Sequence, residues 1–268
     1  MNQRFTFINT YFTLSVLFFS FIGTISLQGQ ASMESLFKEG NTAYNEGDYK
    51  KAIALYEQTL KLGQHSAALY FNLGSAYYRV NNVAESIYYF EKAELLAPED
   101  EDIQINSAFA KNMTIDAIEF LPESQLAQLQ KKVFKSLSFS TWTILTVALL
   151  WIFVILFLGY IFFRSAFLKR TFFFTSLVVL LLFVGSFLVT FTINQKQKNT
   201  EYAIIFSDQI DIWSEPNQQG DLLFTLHEGT KVQVLDDLAE WQKIRIANGS
   251  EGWIRNARIR KLSEEIAK

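Results

Sequence analysis

Two uninterrupted apolar spans, Trp142 to Phe163 and Phe172 to Ile193, are separated only by the basic stretch Arg164 to Thr171. Each span has 22 residues and no ionisable side chain. A helix rising about 1.5 Å per residue needs about 20 apolar residues to cross ~30 Å of hydrocarbon, so the pattern predicts a transmembrane hairpin: helices at 142–163 and 172–193 and a loop at 164–171. Two crossings return the chain to the side it left. The flanking segments therefore share one membrane face, and the chain is membrane-embedded.

The remainder divides into one block before the hairpin and one after it, each about the size of a small domain and too short for a large catalytic unit. Ser32 to Ser140 holds 10 basic and 15 acidic residues, a net of −5, and Asn194 to Lys268 holds 10 and 12, a net of −2. Neither block carries the positive charge of a nucleic-acid binder. There is no cysteine, which excludes disulfides, thiolate zinc sites, thiol nucleophiles and a lipid-modified N-terminal cysteine.

The chain opens with Met1 to Arg4, an apolar run from Phe5 to Leu27, and Gly29-Gln-Ala31. Small residues at these positions fit cleavage after Ala31, so 1–31 reads as a secretory signal. The single basic residue and the long apolar run leave a retained anchor as the alternative. Either outcome exports the first block. Arg164, Lys169 and Arg170 then lie on the cytoplasmic side, in keeping with the positive-inside rule, although Lys131, Lys132, Lys135, Lys196 and Lys198 flank the spans on the other side.

Within the first block, residues 34 apart correspond: Gly40 and Gly74, Tyr44 and Tyr78, Ile53 and Ile87, Tyr56 and Phe90, Glu57 and Glu91. Gly40 and Gly74 permit close helix crossing, Gly47 and Asn81 suit left-handed turns, and the aromatics fill the seam. Helices are expected at about 33–46, 49–62, 67–80 and 83–96, with a fifth reaching about Ala117, its first turn acidic from Glu99 to Asp102. The pattern resembles the tetratricopeptide (TPR) repeat over 32–120, with the fifth helix as a cap. The resemblance implies a concave peptide-binding groove showing Phe37, Asn41, Tyr44, Phe71, Asn72, Tyr78, Arg79 and Phe109. Asn41, Asn72 and Asn106 stand where some TPR proteins bind a peptide backbone, or they satisfy helix contacts. Phe37 and Asp102 replace basic clamp residues, which disfavours an acidic C-terminal ligand. Residues 121–141 form a linker whose Phe134, Leu137 and Phe139 meet the membrane interface or join a core.

After Glu201, short β-type runs alternate with turns, notably Glu215-Pro216, Gly229-Thr230 and Asn248-Gly249. They predict five or six strands over 201–263. Together with Trp241-x2-Ile244 and Gly252-Trp253-Ile254, they resemble a bacterial SH3-like (SH3b) domain. That implies peptide or cell-wall binding, with Trp213, Trp241 and Trp253 as the aromatic surface. Trp213 is the clearest surface candidate, and a core role for Trp241 and Trp253 is the competing reading.

His65 and His227 fall in separate modules without metal-ligand spacing and read as ordinary surface residues. No phosphate loop, nucleophile motif or paired acids appear, so neither a catalytic residue, a metal nor a cofactor is expected. The uncharged spans argue against an ion pathway. Their small residues suit close helix packing.

The fold class is thus a multi-domain membrane protein: an all-α TPR solenoid, a two-helix transmembrane hairpin and a small all-β SH3b barrel. In this order the modules resemble the BatE proteins of the Bacteroides aerotolerance (Bat) group. The resemblance implies a non-enzymatic scaffold on the periplasmic face of the bacterial inner membrane. Its implied partners are von Willebrand A-domain Bat proteins and, through them, a MoxR-type ATPase, in aerotolerance or envelope stress. A peptidoglycan-binding sensor is the alternative.

Overall fold

The computed structural model describes residues 33–116, 118, 124–217, 219–255 and 258–263. The expected export signal and the Leu121-Pro122 junction lie outside them. The first block is a helical stack: α1 (33–45), α2 (Tyr49–Lys61), α3 (Ala67–Arg79), α4 (Val83–Leu96) and α5 (Glu101–Lys111). Side-chain oxygens of Asp48, Ser66, Asn82 and Asp100 accept from the third backbone N–H of the following helix, satisfying donors that a helix start leaves orphaned. A Cβ added at Gly40 would lie 2.5 Å from the Tyr56 ring, and one at Gly74 2.9 Å from Phe90. The repeat therefore requires glycine there for close approach. Asn81 takes the left-handed turn at φ 58°.

Helix α4 is buried from Val83 to Ala93 on nearly every side, including Glu91 and Lys92. A helix buried all round needs neighbours all round. Here α3 and α5 cover part of it and the C-terminal β-module covers the rest. Helix α5 stops at Lys111 rather than continuing toward Ala117, because Thr114 and Asp116 turn to meet that module.

Helices α6 (Gln125–Lys135), α7 (Phe139–Phe162) and α8 (Ala166–Asn199) come next. The last two are long and apolar enough to cross a membrane, and they are almost wholly exposed, unlike the core helices of a soluble protein. Residues 163–165 alone separate them, so the expected eight-residue loop is corrected: Lys169 and Arg170 lie in the first turns of α8. These residues are good helix formers, and nothing forces the helix to stop at the end of its apolar part. The pair is held by Thr146 Oγ1, 2.7 Å from Ser186 Oγ and 3.2 Å from Thr190 Oγ1, and by Phe172 packed beside Gly159.

Thr200 alone links α8 to the β-module, which among the described residues has seven antiparallel strands where five or six were expected. They are β1 (Glu201–Ile205), β2 (Gln209–Trp213), β3 (Leu222–His227), β4 (Lys231–Leu238), β5 (Trp241–Arg245), β6 (Glu251–Arg255) and β7 (Ile259–Lys261), in the order β3-β2-β6-β5-β4-β1-β7. The extra strand, β7, pairs with β1, matching Ala203 with Lys261. Ile205, Ile212, Leu226, Val232, Ile244 and Ile254 fill the interior.

Candidate functional site

The predicted groove residues lie on α1, α3 and α5. Tyr44, Tyr78, Arg79 and Phe109 line one open cavity of about 180 Å³ with Ser75 and Asn106, floored by Phe90 of α4. Tyr78 and Phe109 are exposed, at 38% and 57%. Tyr44 packs edge-on against Tyr49, over which the Arg79 guanidinium sits 5.8 Å from the ring centre. Phe37 and Phe71 lie deeper, against Tyr56 and Phe90 respectively. Asn41 Oδ1 accepts from the Tyr56 hydroxyl and from Asn72 Nδ2, both at 2.8 Å. Asn106 Nδ2 donates to the Asp102 carbonyl. These asparagines thus make the helix-to-helix and within-helix bonds that formed one of their two readings. Burial pushes the Tyr56 hydroxyl up to about 12, so it stays a neutral donor.

On the β-module, Trp213, Trp241 and Trp253 are half-buried and share the outer face of β2, β6 and β5. Trp213 pairs with Trp253, and Trp241 sits opposite Arg255, whose guanidinium lies 5.6 Å from its ring centre. Trp213, Trp241, Arg255, Arg258, Asp208 and Asp211 line a cavity of about 610 Å³. Neither Trp241 nor Trp253 belongs to the buried cluster of the β-module. Strand alternation makes the reason readable in the sequence: Ile244 and Ile254 point inward, so residues at odd spacing from them point outward.

Sequence reasoning missed a third surface, the contact between the modules. Glu91 on α4 is 2% exposed and receives both Lys111 Nζ, at 2.8 Å, and Lys231 Nζ of β4. Burial alone would raise the Glu91 carboxyl, but the two ammonium groups outweigh it and hold it below the usual range. Arg260 of β7 grips Glu85 of α4 with both terminal nitrogens, at 2.9 and 2.8 Å, and lies over the rings of Tyr88 and Phe206. Asp116 accepts from the His227 backbone N–H and from Thr230 Oγ1, with His227 Nδ1 2.7 Å from its other oxygen. Burial opposes its charge, yet these bonds hold Asp116 low. His227 is therefore an interface residue, contrary to the expectation of an ordinary surface position, whereas His65 binds the Tyr70 hydroxyl within the helical stack. Gly229, at φ 82°, brings its turn against Ile87; a Cβ there would lie 2.9 Å from the isoleucine methyl.

Among the described residues, the groove cavity and this contact draw on different side chains. Among the same residues no cluster of histidines or acids could hold a metal ion.

Residues 37–101 match the family described as Tetratricopeptide repeat, and residues 209–260 match the family described as Bacterial SH3 domain. None of the curated proteins matches the chain. Among solved structures, the first TPR of Spaghetti (RPAP3) bound to the HSP90 peptide SRMEEVD is similar at 22% identity and a TM-score of 0.30. The alignment covers 31% of this chain and 66% of that one, just under two thirds of its length. The chain thus joins a tetratricopeptide repeat unit and a bacterial SH3 domain, two types of interaction module, through two long apolar helices.

Proposed function

We propose that the chain is a non-enzymatic scaffold anchored in the bacterial inner membrane, holding a partner segment in its TPR groove on the periplasmic face. The observation that carries this reading is the division of labour around α4. The β-module occupies the side bearing Glu85, Tyr88 and Glu91, while Tyr78, Arg79 and Phe109 stay open. A groove with exposed aromatics and an arginine suits an extended or helical peptide. The BatE-like arrangement points to von Willebrand A-domain Bat proteins as partners. A MoxR-type ATPase would be engaged only through them, because the short connection between α7 and α8 leaves little chain on the cytoplasmic side.

The tryptophan face supports a second reading, in which the SH3b surface grips peptidoglycan. One experiment separates the two. Photocrosslinking in native membranes should capture a von Willebrand A-domain protein, and Tyr78→Ala with Phe109→Ala should remove it while leaving the fold intact. Unchanged capture would reject the groove. In a parallel arm, sedimentation of the solubilised full chain with purified sacculi, lost on Trp213→Ala with Trp241→Ala, would favour the wall-binding reading.

A further inference from the structure

Helix α6 carries an exposed apolar stripe. Leu126, Leu129 and Val133 recur at the spacing of one helical face and are 68%, 61% and 40% exposed. Its sequence contains three lysines, Lys131, Lys132 and Lys135, and no acid. Lys131 and Lys132 fall off the apolar stripe by helical spacing.

The end of α6 also lies beside the end of the apolar run of α8. Ser138, in extended conformation, ends the link from α6 and caps α7 by accepting from the Thr141 N–H, so α6 and α7 are separate helices. Lys196 Nζ lies 5.3 Å from the centre of the Phe134 ring, which ties the end of α6 to the point where α8 leaves its apolar run. The exposed apolar residues of α7 begin at Phe139, shortly after α6 ends at Lys135.

We propose that α6 lies on the bilayer surface, with Leu126, Leu129 and Val133 sunk to the headgroup boundary and Lys131 and Lys132 drawing anionic lipid headgroups. The charge selects a lipid surface over an apolar protein groove: lysines without an acid attract anionic headgroups, and the apolar face replaces water with acyl chain. This assignment rests on α7 and α8 spanning the bilayer.

The absence of cysteine makes the test direct. Full-length chains carrying Leu126→Cys, Leu129→Cys, Val133→Cys, Gln128→Cys or Val178→Cys are spin-labelled in nanodiscs containing phosphatidylglycerol. Collision with oxygen, which concentrates in the bilayer, is compared with collision with a water-soluble nickel complex. The oxygen-to-nickel ratio should be several-fold higher at 126, 129 and 133 than at 128, and should fall at those three positions in discs made only of phosphatidylcholine. Equal ratios at all four α6 positions would overturn the proposal, as would low access to both reagents at the apolar three, the signature of cover by a second copy or another protein. A ratio indifferent to lipid charge would overturn the headgroup assignment. Val178→Cys, in the middle of α8, reports the span independently, so failure of the hairpin and failure of α6 are distinguishable.

Discussion

The 34-residue register explains how one position acquired a new task. Glu57 accepts a 2.6 Å bond from the Tyr77 hydroxyl. One repeat later, the same pair of positions is Glu91 and Lys111, joined at 2.8 Å. Replacing a neutral phenol with an ammonium leaves a charged site on α4 that also takes Lys231 from the β-module. Burial, aided by the bond to Glu57, pushes the Tyr77 hydroxyl upward, so that pair remains a neutral-donor bond. Glu91→Gln keeps the volume but leaves two lysines without their shared anion. Because both lysines reach solvent, the cost should sit between that of a surface pair and a buried one, about 2 kcal/mol. Urea unfolding in detergent reads it, and a change below about 0.5 kcal/mol would mean that the ion cluster contributes no more than an exposed pair. The periodicity exposes Glu91 in the sequence. What it faces is not visible there, since Lys231 is 140 residues away.

At the level of elements, legibility followed period. The TPR helices and the two spans are readable because their apolar residues recur over many turns, and the strand alternation that puts Trp241 and Trp253 outside is also written in the chain. The end of α5 and the existence of β7 are not. The first depends on a distant module, where Asp116 meets His227, and the second on pairing with β1, far back in the chain. In the hairpin, the small polar residues settle into a specific job, with Ser176, Ser186 and Thr146 buried in an otherwise exposed pair. Ser186→Ala should weaken the α7–α8 association by about 1 kcal/mol, the scale of interhelical hydrogen bonds in membranes. Denaturation of the chain in mixed micelles measures it, with Ser186→Thr as the conservative control. Equal stability of Ser186→Ala and the parent would show that packing of Phe172 against Gly159 suffices.

For the whole molecule, the docking of the two modules is an acid-sensitive joint. Glu91 and Asp116 both have lowered values in the docked state, against ordinary ones of 4.5 and 3.8. A carboxyl lowered by folding contributes stability above its unfolded value and loses it as pH falls through the folded value. The joint should therefore be complete above about pH 4.5 and loosen progressively below it. Hydrogen exchange of the α4 amides, measured by mass spectrometry in nanodiscs, should show protection near Glu85 to Glu91 falling in that acid window. Protection unchanged down to pH 3 would reject the linkage. By itself the sequence determined the modules and the pair of long apolar helices, because each rests on a local pattern: a 34-residue repeat, two apolar runs, and alternating strands between turns. Only the tertiary structure decided that the β-module covers α4 and leaves the TPR groove free. That choice is made by single charged and aromatic side chains far apart in sequence, Glu85, Tyr88 and Glu91 against Arg260, Phe206 and Lys231, whose pairing leaves no periodic trace along the chain.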